Sequence, residues 1–460
     1  MCYSGRMALA RARSIGSAAS MIAVAGAIST CPASAHAAPP AGPLRSVIAR
    51  PPAPAARACS FSVPVCVHTA PSTPAWAAGA VLRAAESALA GYRALGLPMP
   101  LSHAPGAGGR AWDVYIGAGD VYTGAGVTFA DPETEPRPLD EAAAYTLLPE
   151  PSTWGCDLDF LVARHAAEAI VLRLDAGAER GMAAAAASYL ASIVAPCAAV
   201  EAPAIDALQA EPHRAITEPR PGAAHGGMLF PMFLEENGGS GDPGRLVTSL
   251  FAIASQRSGP GSIAWENEPD TFDALRSSLR FRRGSLDDAL LAFAVDRAFV
   301  GERSDGQHLA ATDLYGKAGR VFFEWSVPYA SLPRRLAPAR PLEPTGATYL
   351  WLDLAGAPKD AEITFVADWE LPAVFRWTLV KVDRTGAEAG RIDVAGVFGS
   401  SHVERTVVLR EELAGVIVVG AFTGPLDRSQ PFDPDDAPFM PHSYEVTLYG
   451  PVTGEPAPSQ

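Results

Sequence analysis

The sequence predicts a multidomain α+β chain, in which a mainly helical domain is followed by an antiparallel β-sandwich. From Cys59 to about Val300 the apolar residues recur mostly at helical spacing, whereas after Thr348 they alternate at the period of a strand. The stretch between these regions is rich in proline and glycine. We therefore place the helical domain at 59–310, a linker at 311–346, the β-sandwich at 347–452 and a tail at 453–460.

The helical domain is predicted from its amphipathic segments and one short strand. The strand, Trp112–Ile116, runs into a glycine-rich turn, and a polar, proline-rich connection is predicted from Pro203 to Pro221. The predicted helices are 77–95, 157–175, 179–195, 228–236, 245–255 and 271–299.

The β-sandwich is predicted from about seven short strand runs separated by Gly, Pro and Asp turns. These runs are 349–354, 362–366, 374–382, 390–397, 405–409, 416–422 and 444–449.

Residues 1–37 have the pattern of a bacterial secretory signal peptide. Basic residues near the start precede a weakly apolar stretch, and Ala35-His36-Ala37 offers a small-x-small cleavage site. Cys31 could anchor a lipoprotein, but Thr30 replaces the small residue of a lipobox, so we predict no lipid anchor. Residues 38–58 are rich in Pro and Ala and are predicted to be a tether. We expect an exported protein, periplasmic or extracellular.

The composition limits the class of partner. The chain has 460 residues, 48% hydrophobic and 19% charged, which is ordinary for a globular protein with room for two cores. Its net charge of −14 argues against nucleic acid and anionic membrane surfaces. We find no run of roughly 20 apolar residues after the signal, so we predict no integral membrane segment in the mature chain.

Four cysteines remain after the predicted cleavage, an even number suited to an oxidising compartment. Of the three possible pairings we favour Cys59–Cys66, which would pin a short loop, and Cys156–Cys197, which would tie the start of one helix to the end of the next. Four free thiols are the alternative. A zinc site is disfavoured because no C-x-x-C spacing occurs.

The helix predicted at 157–175 carries three polar residues in an Ala-rich setting. In an H-E-x-x-H helix, two histidines one turn apart bind zinc and the glutamate is the general base. On that frame Arg164 takes the first ligand position, His165 the base position and Glu168 the second ligand position. The alternative is an ordinary ion pair between Arg164 and Glu168, worth ~0.2–0.5 kcal/mol if exposed.

The segment from Phe160 to Val194 resembles the core of the gluzincin-like zinc metallopeptidases, with a motif helix, a short link and a second helix. In that family the second helix reads E-x-A-x-Y or E-x-A-x-W, and its glutamate binds zinc. Here the matching stretch runs from Ala185 to Tyr189, so Ala185 takes the ligand position. Residues 227–238 are similar to a later helix and turn of secreted bacterial members, which also carry a C-terminal β-sandwich. The resemblance implies a zincin-like helical domain.

The chemistry of these replacements predicts a pseudoenzyme. Arginine cannot ligate a divalent cation, and Ala185 has no donor atom, so only Glu168 would remain of three protein ligands. We expect no catalytic residue, no metal ligand and no cofactor, with an Arg164–Glu168 salt bridge in place of zinc. The predicted function is that of a secreted, non-catalytic binding or scaffold protein, with a protein or glycan as its ligand.

Two alternatives stay open. The chain could be an active hydrolase that uses His165 and Glu168, with His213 or His225 from an adjoining loop completing a different metal site. The β-sandwich could instead bind a carbohydrate or a surface through stacking tryptophans. The candidate stacking residues are Trp351, Trp369 and Trp377.

Overall fold

The computed structural model shows an α+β fold. It describes residues 50–51, 56–101, 111–117, 126–131, 139–151, 155–216, 223–255, 269–281, 284–394, 399–409, 412–424 and 440–450. The predicted signal peptide and tail, residues 1–37 and 453–460, lie outside these ranges, as does most of the predicted tether.

A five-stranded mixed sheet forms the centre of the N-terminal half. Its strands are β1 (Ala56–Cys59), β2 (Val65–Thr69), β3 (Trp112–Ile116), β4 (Val127–Ala130) and β5 (Ala144–Leu148). They lie in the order β1-β2-β3-β5-β4; β2, β3 and β5 run parallel, while β1 and β4 are antiparallel at the two edges. The prediction of a mainly helical, zincin-like domain is therefore wrong. The strand predicted at Trp112–Ile116 is confirmed as β3, whereas the other four strands were not predicted. Every residue of β5 is buried, so this strand lacks the alternation of buried and exposed positions that reveals a strand in sequence.

The helices of this half lie against one face of the sheet or pack on one another. They are α1 (Ala75–Ala94), α2 (Cys156–Leu174), α3 (Arg180–Val194), α4 (Ala198–Ala210), α5 (Ala223–Gly226), α6 (Leu229–Gly238), α7 (Arg245–Ala254), α8 (Thr271–Phe281) and α9 (Leu286–Arg297). Val114 of β3 shares one core with Val81 of α1 and Val162 of α2. Helix α4 fills the first part of the predicted connection. The single helix predicted at 271–299 is two helices, and Ser285 caps the second by accepting a hydrogen bond from the Asp288 N–H.

Both predicted disulfides are confirmed. Cys59 and Cys66 are register partners across the β1–β2 hairpin, and Cys156 at the start of α2 is bonded to Cys197, just beyond α3. Disulfides of this kind indicate an oxidising compartment. Among the described residues no helix is both long and apolar enough to cross a membrane.

The C-terminal half contains two facing sheets. Their strands are β6 (Trp325–Pro328), β7 (Arg334–Leu336), β8 (Ala347–Asp353), β9 (Ala361–Trp369), β10 (Val374–Asp383), β11 (Glu388–Val394), β12 (His402–Leu409), β13 (Leu413–Gly424) and β14 (Tyr444–Tyr449). The sheets have the orders β11-β10-β13-β8-β6 and β12-β9-β14-β7, and one apolar core joins them. Each of the seven predicted strand runs coincides with one of β8–β14. The predicted linker contributes β6 and β7, which the sequence did not indicate. Because β6 runs parallel to β8, this sheet is mixed, and the prediction of a purely antiparallel sandwich is wrong.

The outer face of the sheet β11-β10-β13-β8-β6 is covered by α9. Val295 and Phe299 pack with Tyr349 and Val419 in a separate apolar cluster. The Tyr349 hydroxyl also donates a 2.7 Å hydrogen bond to the carbonyl of Ala294. This helix therefore attaches the sandwich directly to the helical part of the chain.

Candidate functional site

Helix α2 carries the predicted motif residues in its buried middle. The helix begins after Gly155 and has Asp157 and Asp159 in its first turn. Carboxylates at this position interact favourably with the positive end of the helix dipole. Farther along, the exposed fractions are 5% for Arg164, 0% for His165 and 7% for Glu168. The exposed ion pair that the sequence also allowed is therefore not what forms.

The guanidinium of Arg164 is the centre of a buried polar group, which we call the α2 cluster: Arg164, His165, Glu168 and His225. Arg164 Nη1 donates to Glu168 Oε1 at 3.2 Å. It also lies 3.1 Å from His225 Nε2, on the short helix α5. Arg164 Nη2 lies 3.1 Å from His165 Nε2. The predicted Arg164–Glu168 salt bridge is present, and two imidazoles join it.

Arginine fixes the tautomers of both histidines. A guanidinium only donates hydrogen bonds, so the Nε2 atoms beside Arg164 must be acceptors. The protons then lie on the Nδ1 atoms. His165 Nδ1 donates toward Glu168 Oε2 at 3.0 Å, and His225 Nδ1 donates to Ser188 Oγ at 3.1 Å. Both imidazoles are therefore neutral.

The pKa values agree with this assignment. Burial, with a further contribution from the Arg164 cation, lowers the pKa of His225 from 6.5 to about 4. Burial also lowers the pKa of Arg164, and Glu168 acts in the opposite direction. At neutral pH His225 is thus uncharged.

Hydrogen bonds connect the α2 cluster to the sheet. Thr128 Oγ1 of β4 lies 2.9 Å from His165 Nδ1 and 2.9 Å from Thr146 Oγ1 of β5. The Trp112 indole N–H of β3 donates to the same Thr146 oxygen at 3.0 Å. Gly126 permits the close approach of this edge, because its φ is +81° and a Cβ there would lie 3.1 Å from His165 Nε2.

The other side of the cluster is held by α5 and α3. Ser188 of α3 is fully buried and contacts His225. Gly226 lets α5 lie against α4, since a Cβ at this position would lie 2.1 Å from the carbonyl oxygen of Ala204. His225 is therefore positioned by backbone packing as well as by its hydrogen bonds.

The remaining predicted site residues take different places. Ala185, to which the sequence resemblance assigned the third ligand position, is buried at 1% exposure and has only a methyl group as its side chain. His225 joins the α2 cluster, whereas the carbonyl of His213 accepts a hydrogen bond from the Glu343 N–H, in a different contact. Within the described ranges no group of three or more His, Cys, Asp or Glu side chains is placed to hold a metal ion.

The sandwich tryptophans do not form an exposed stacking surface. Trp377 is 2% exposed and packs on Phe365 and Tyr444. Trp369 is 8% exposed, and its indole N–H donates to the carbonyl of Ala373. Trp351 is half-buried, and the guanidinium of Arg303 lies 5.2 Å from its ring centroid. All three tryptophans thus contact other side chains or backbone of the same chain, as core aromatic residues ordinarily do. The carbohydrate-binding alternative thus loses its proposed aromatic residues.

Comparisons with known proteins do not assign a family. No family model matches the sequence, and no curated protein matches it. Among solved structures, it is similar to the pre-peptidase C-terminal domain of collagenase from Bacillus anthracis, at 11% identity and a TM-score of 0.18 over 28% of this chain and 96% of that chain. It is also similar to the N-terminal CBM22-1–CBM22-2 tandem domain of Paenibacillus barcinonensis Xyn10C, at 17% identity and a TM-score of 0.16 over 26% of this chain and 38% of that chain. Likenesses this weak establish neither a family nor a function.

Proposed function

We propose that this chain is an exported, non-catalytic binding protein in which the α2 cluster stands in place of a metallopeptidase zinc site. One observation carries this proposal. The Arg164 guanidinium engages the imidazole nitrogens and the carboxylate oxygen that could otherwise ligate a metal. Export is supported by the two disulfides and by the predicted signal peptide.

The donor set does not fit zinc. A catalytic zinc ion needs three protein ligands with free lone pairs. The Nε2 lone pairs of His165 and His225 accept hydrogen bonds from a permanent cation, whose charge would also repel a divalent ion. The alanine at position 185 contributes no donor. A hydrolytic step at a metal is therefore not part of the proposed function.

The burial of the cluster argues against the hydrolase alternative. His165 has no exposed surface and Glu168 has 7%, so neither presents a reactive atom to a substrate in this conformation. Their hydrogen bonds instead join α2 to the sheet and to α5. The ligand class, protein or glycan, stays a prediction.

The test is a zinc and protease assay on the mature chain, residues 38–460. The protein would be incubated with excess zinc, freed of unbound metal, and measured by elemental analysis and casein hydrolysis. We expect zinc far below one ion per chain and no chelator-sensitive cleavage. Stoichiometric zinc in a defined site, or cleavage that a chelator abolishes, would overturn the proposal.

A matched pair of variants sharpens this test. Arg164→Ala removes the cation and frees the lone pairs of His165 and His225, so its zinc content should rise above that of the wild type. Arg405→Ala, on an exposed position of β12, should leave the zinc content unchanged. Equal zinc binding by all three proteins would show that Arg164 does not exclude the metal.

A further inference from the structure

The two faces of the N-terminal sheet carry different groups. Trp112 and Val114 of β3 face the helices and belong to the main core. Tyr115 of β3 and Tyr145 of β5 belong to a separate aromatic cluster on the opposite face. Asp113, which alternates with Trp112 and Val114 along β3, is placed on that second face as well.

A partly buried arginine, Arg50, lies on this face. Arg50 Nη1 donates to Asp113 Oδ2 at 2.7 Å, and Arg50 Nε donates to Asp131 Oδ2 at 3.0 Å. Arg50 Nη2 bonds to the same Asp131 oxygen. The guanidinium also lies 5.5 Å from the ring centroid of Tyr145, within cation–π range.

These contacts reach across three strands. Asp113 is on β3, Asp131 directly follows β4, and Tyr145 is on β5, which lies between them in the sheet. In the register, Tyr145 is opposite Asp113 on one side and opposite Phe129 on the other. The sheet thus places one carboxylate on each side of an aromatic ring, a geometry that matches a planar guanidinium.

The site is rigid and buried. Asp131 has no exposed surface and Asp113 has 6%. His68 Nε2 lies 2.7 Å from Asp113 Oδ1, and the His68 ring stacks on Tyr115 at 4.5 Å. Burial raises the pKa of Asp113, but hydrogen bonds from His68 and Arg50 outweigh burial and lower it below its ordinary value. His68 therefore orients one carboxylate oxygen and leaves the other for Arg50.

Burying two carboxylates costs desolvation free energy, so an ion pair is a poor means of merely fixing a short segment to the sheet. Apolar side chains of similar volume would often hold the segment as well or better. Two buried carboxylates do, however, bind a cationic side chain in preference to a neutral one. Arg50 belongs to no helix or strand, whereas Asp113 and Tyr145 lie on strands of the sheet and Asp131 directly follows one. We propose that Asp113, Asp131 and Tyr145 form a recognition site for the arginine of an extended peptide, and that Arg50 of the chain's own N-terminal segment fills this site in cis.

The proposal defines the class of partner and how it would bind. The site selects arginine over lysine, because an ammonium group cannot present several donors in one plane to two carboxylates. The net charge of −14 also favours a basic peptide. A partner's arginine would bind only by displacing Arg50, so the N-terminal segment acts as a built-in competitor. This inference concerns the second face of the sheet and does not rest on the proposed function.

The experiment uses the Arg50→Ala variant of chain 38–460, which removes the guanidinium of Arg50 from the site. The probe is a synthetic peptide of residues 46–51, with arginine, lysine or citrulline at position 50. Titration calorimetry should show that the variant binds the arginine peptide roughly tenfold or more tightly than the lysine or citrulline peptides. The wild type should not bind, because its own Arg50 occupies the site. Arg50→Ala combined with Asp131→Asn should lose binding.

Two outcomes would overturn the proposal. One is a folded Arg50→Ala variant that does not prefer the arginine peptide; the other is equal binding by the wild type. If Arg50→Ala is unfolded, addition of the arginine peptide should restore its circular dichroism and raise its Tm saturably. In that case the titration uses Arg50→Lys, which keeps a cation at position 50, as the folded variant. It should bind the arginine peptide, because the site selects arginine over lysine. Failure of the peptide to refold the alanine variant, with no binding by the lysine variant, would also overturn the proposal.

Discussion

Two histidines, each buried beside an arginine, have pKa values that shift in opposite directions. His225 in the α2 cluster accepts from Arg164, and burial together with that cation lowers its pKa to about 4. His308 lies between the helical part and the sandwich. Burial lowers its pKa too, but hydrogen bonds to Glu388 and Asp305 outweigh burial and raise the pKa above its ordinary value.

The geometry around His308 explains the contrast. His308 Nδ1 lies 2.9 Å from Asp305 Oδ2, and His308 Nε2 lies 2.9 Å from Glu388 Oε2 on β11. The imidazole also stacks on Phe299 at 4.5 Å. Both ring nitrogens face carboxylates, which favours the protonated ring, and the guanidinium of Arg391, 3.3 Å from His308 Nε2, is itself paired with the same Glu388. Burial lowers the pKa of both histidines, so the charge of the neighbouring groups sets the direction of the net shift.

The largest expected effect on stability comes from removing one charged side chain of the α2 cluster. Glu168→Ala removes a carboxylate beside the buried Arg164, and loss of one partner of a buried pair costs about 3–5 kcal/mol. We expect a drop of this size in the free energy of unfolding, measured by urea denaturation. The control is Glu412→Ala, because Glu412 pairs with Arg384 at 83% and 74% side-chain exposure and should matter by about 0–1 kcal/mol. Similar losses in the two variants would contradict a structural role for the α2 cluster.

The two halves of the chain also differ in how far they could be predicted. In the sheet β12-β9-β14-β7 the strands have one face in the core and the other toward solvent, as in β9, where buried and more exposed residues alternate along the strand. That alternation is visible in the sequence, whereas β13 is buried along almost its whole length and was predicted as a short apolar run between turn residues. The disulfides and the helix α2 were likewise predictable from local spacing.

The N-terminal sheet could not be predicted in the same way. Of its strands only β3 was predicted; β5 is equally short and buried on both faces, so its sequence resembles any apolar stretch. The sites depend on distant partners: His225 lies 61 residues from Arg164, and Arg50 lies 81 residues from Asp131. Arg164, His165 and Glu168 could be selected from helical spacing, whereas Thr128 and Ser188 carry no signal apart from the fold.

The next largest effect is the contribution of His225, through its low pKa, to the pH dependence of the free energy of unfolding. The unfolded chain takes up a proton near pH 6.5, whereas the folded chain does so only near 4, so stability falls as the pH is lowered through this interval. The difference corresponds to about 3 kcal/mol. His225→Gln should remove this part of the pH dependence in urea denaturation between pH 7 and 4. A variant with the same slope as the wild type would show that His225 is not buried as a neutral group.

The smallest expected effect is at His308, and its sign is opposite. A raised pKa stabilises the fold below pH 6.5, and that stability is lost as the pH rises through the folded pKa. Glu388→Gln removes a carboxylate that holds the proton, so it should cost about 1.5 kcal/mol near pH 6, the scale of one charge-assisted hydrogen bond. The difference from the wild type should shrink as the pH rises through the folded pKa of His308, because the wild-type imidazole then loses its proton as well. Glu404→Gln, on an exposed position of β12, is the matched control and should be unchanged across this range. A Glu388→Gln deficit that stays constant from pH 6 to 9 would mean that Glu388 acts through Arg391, 2.7 Å away, and not through a charged His308.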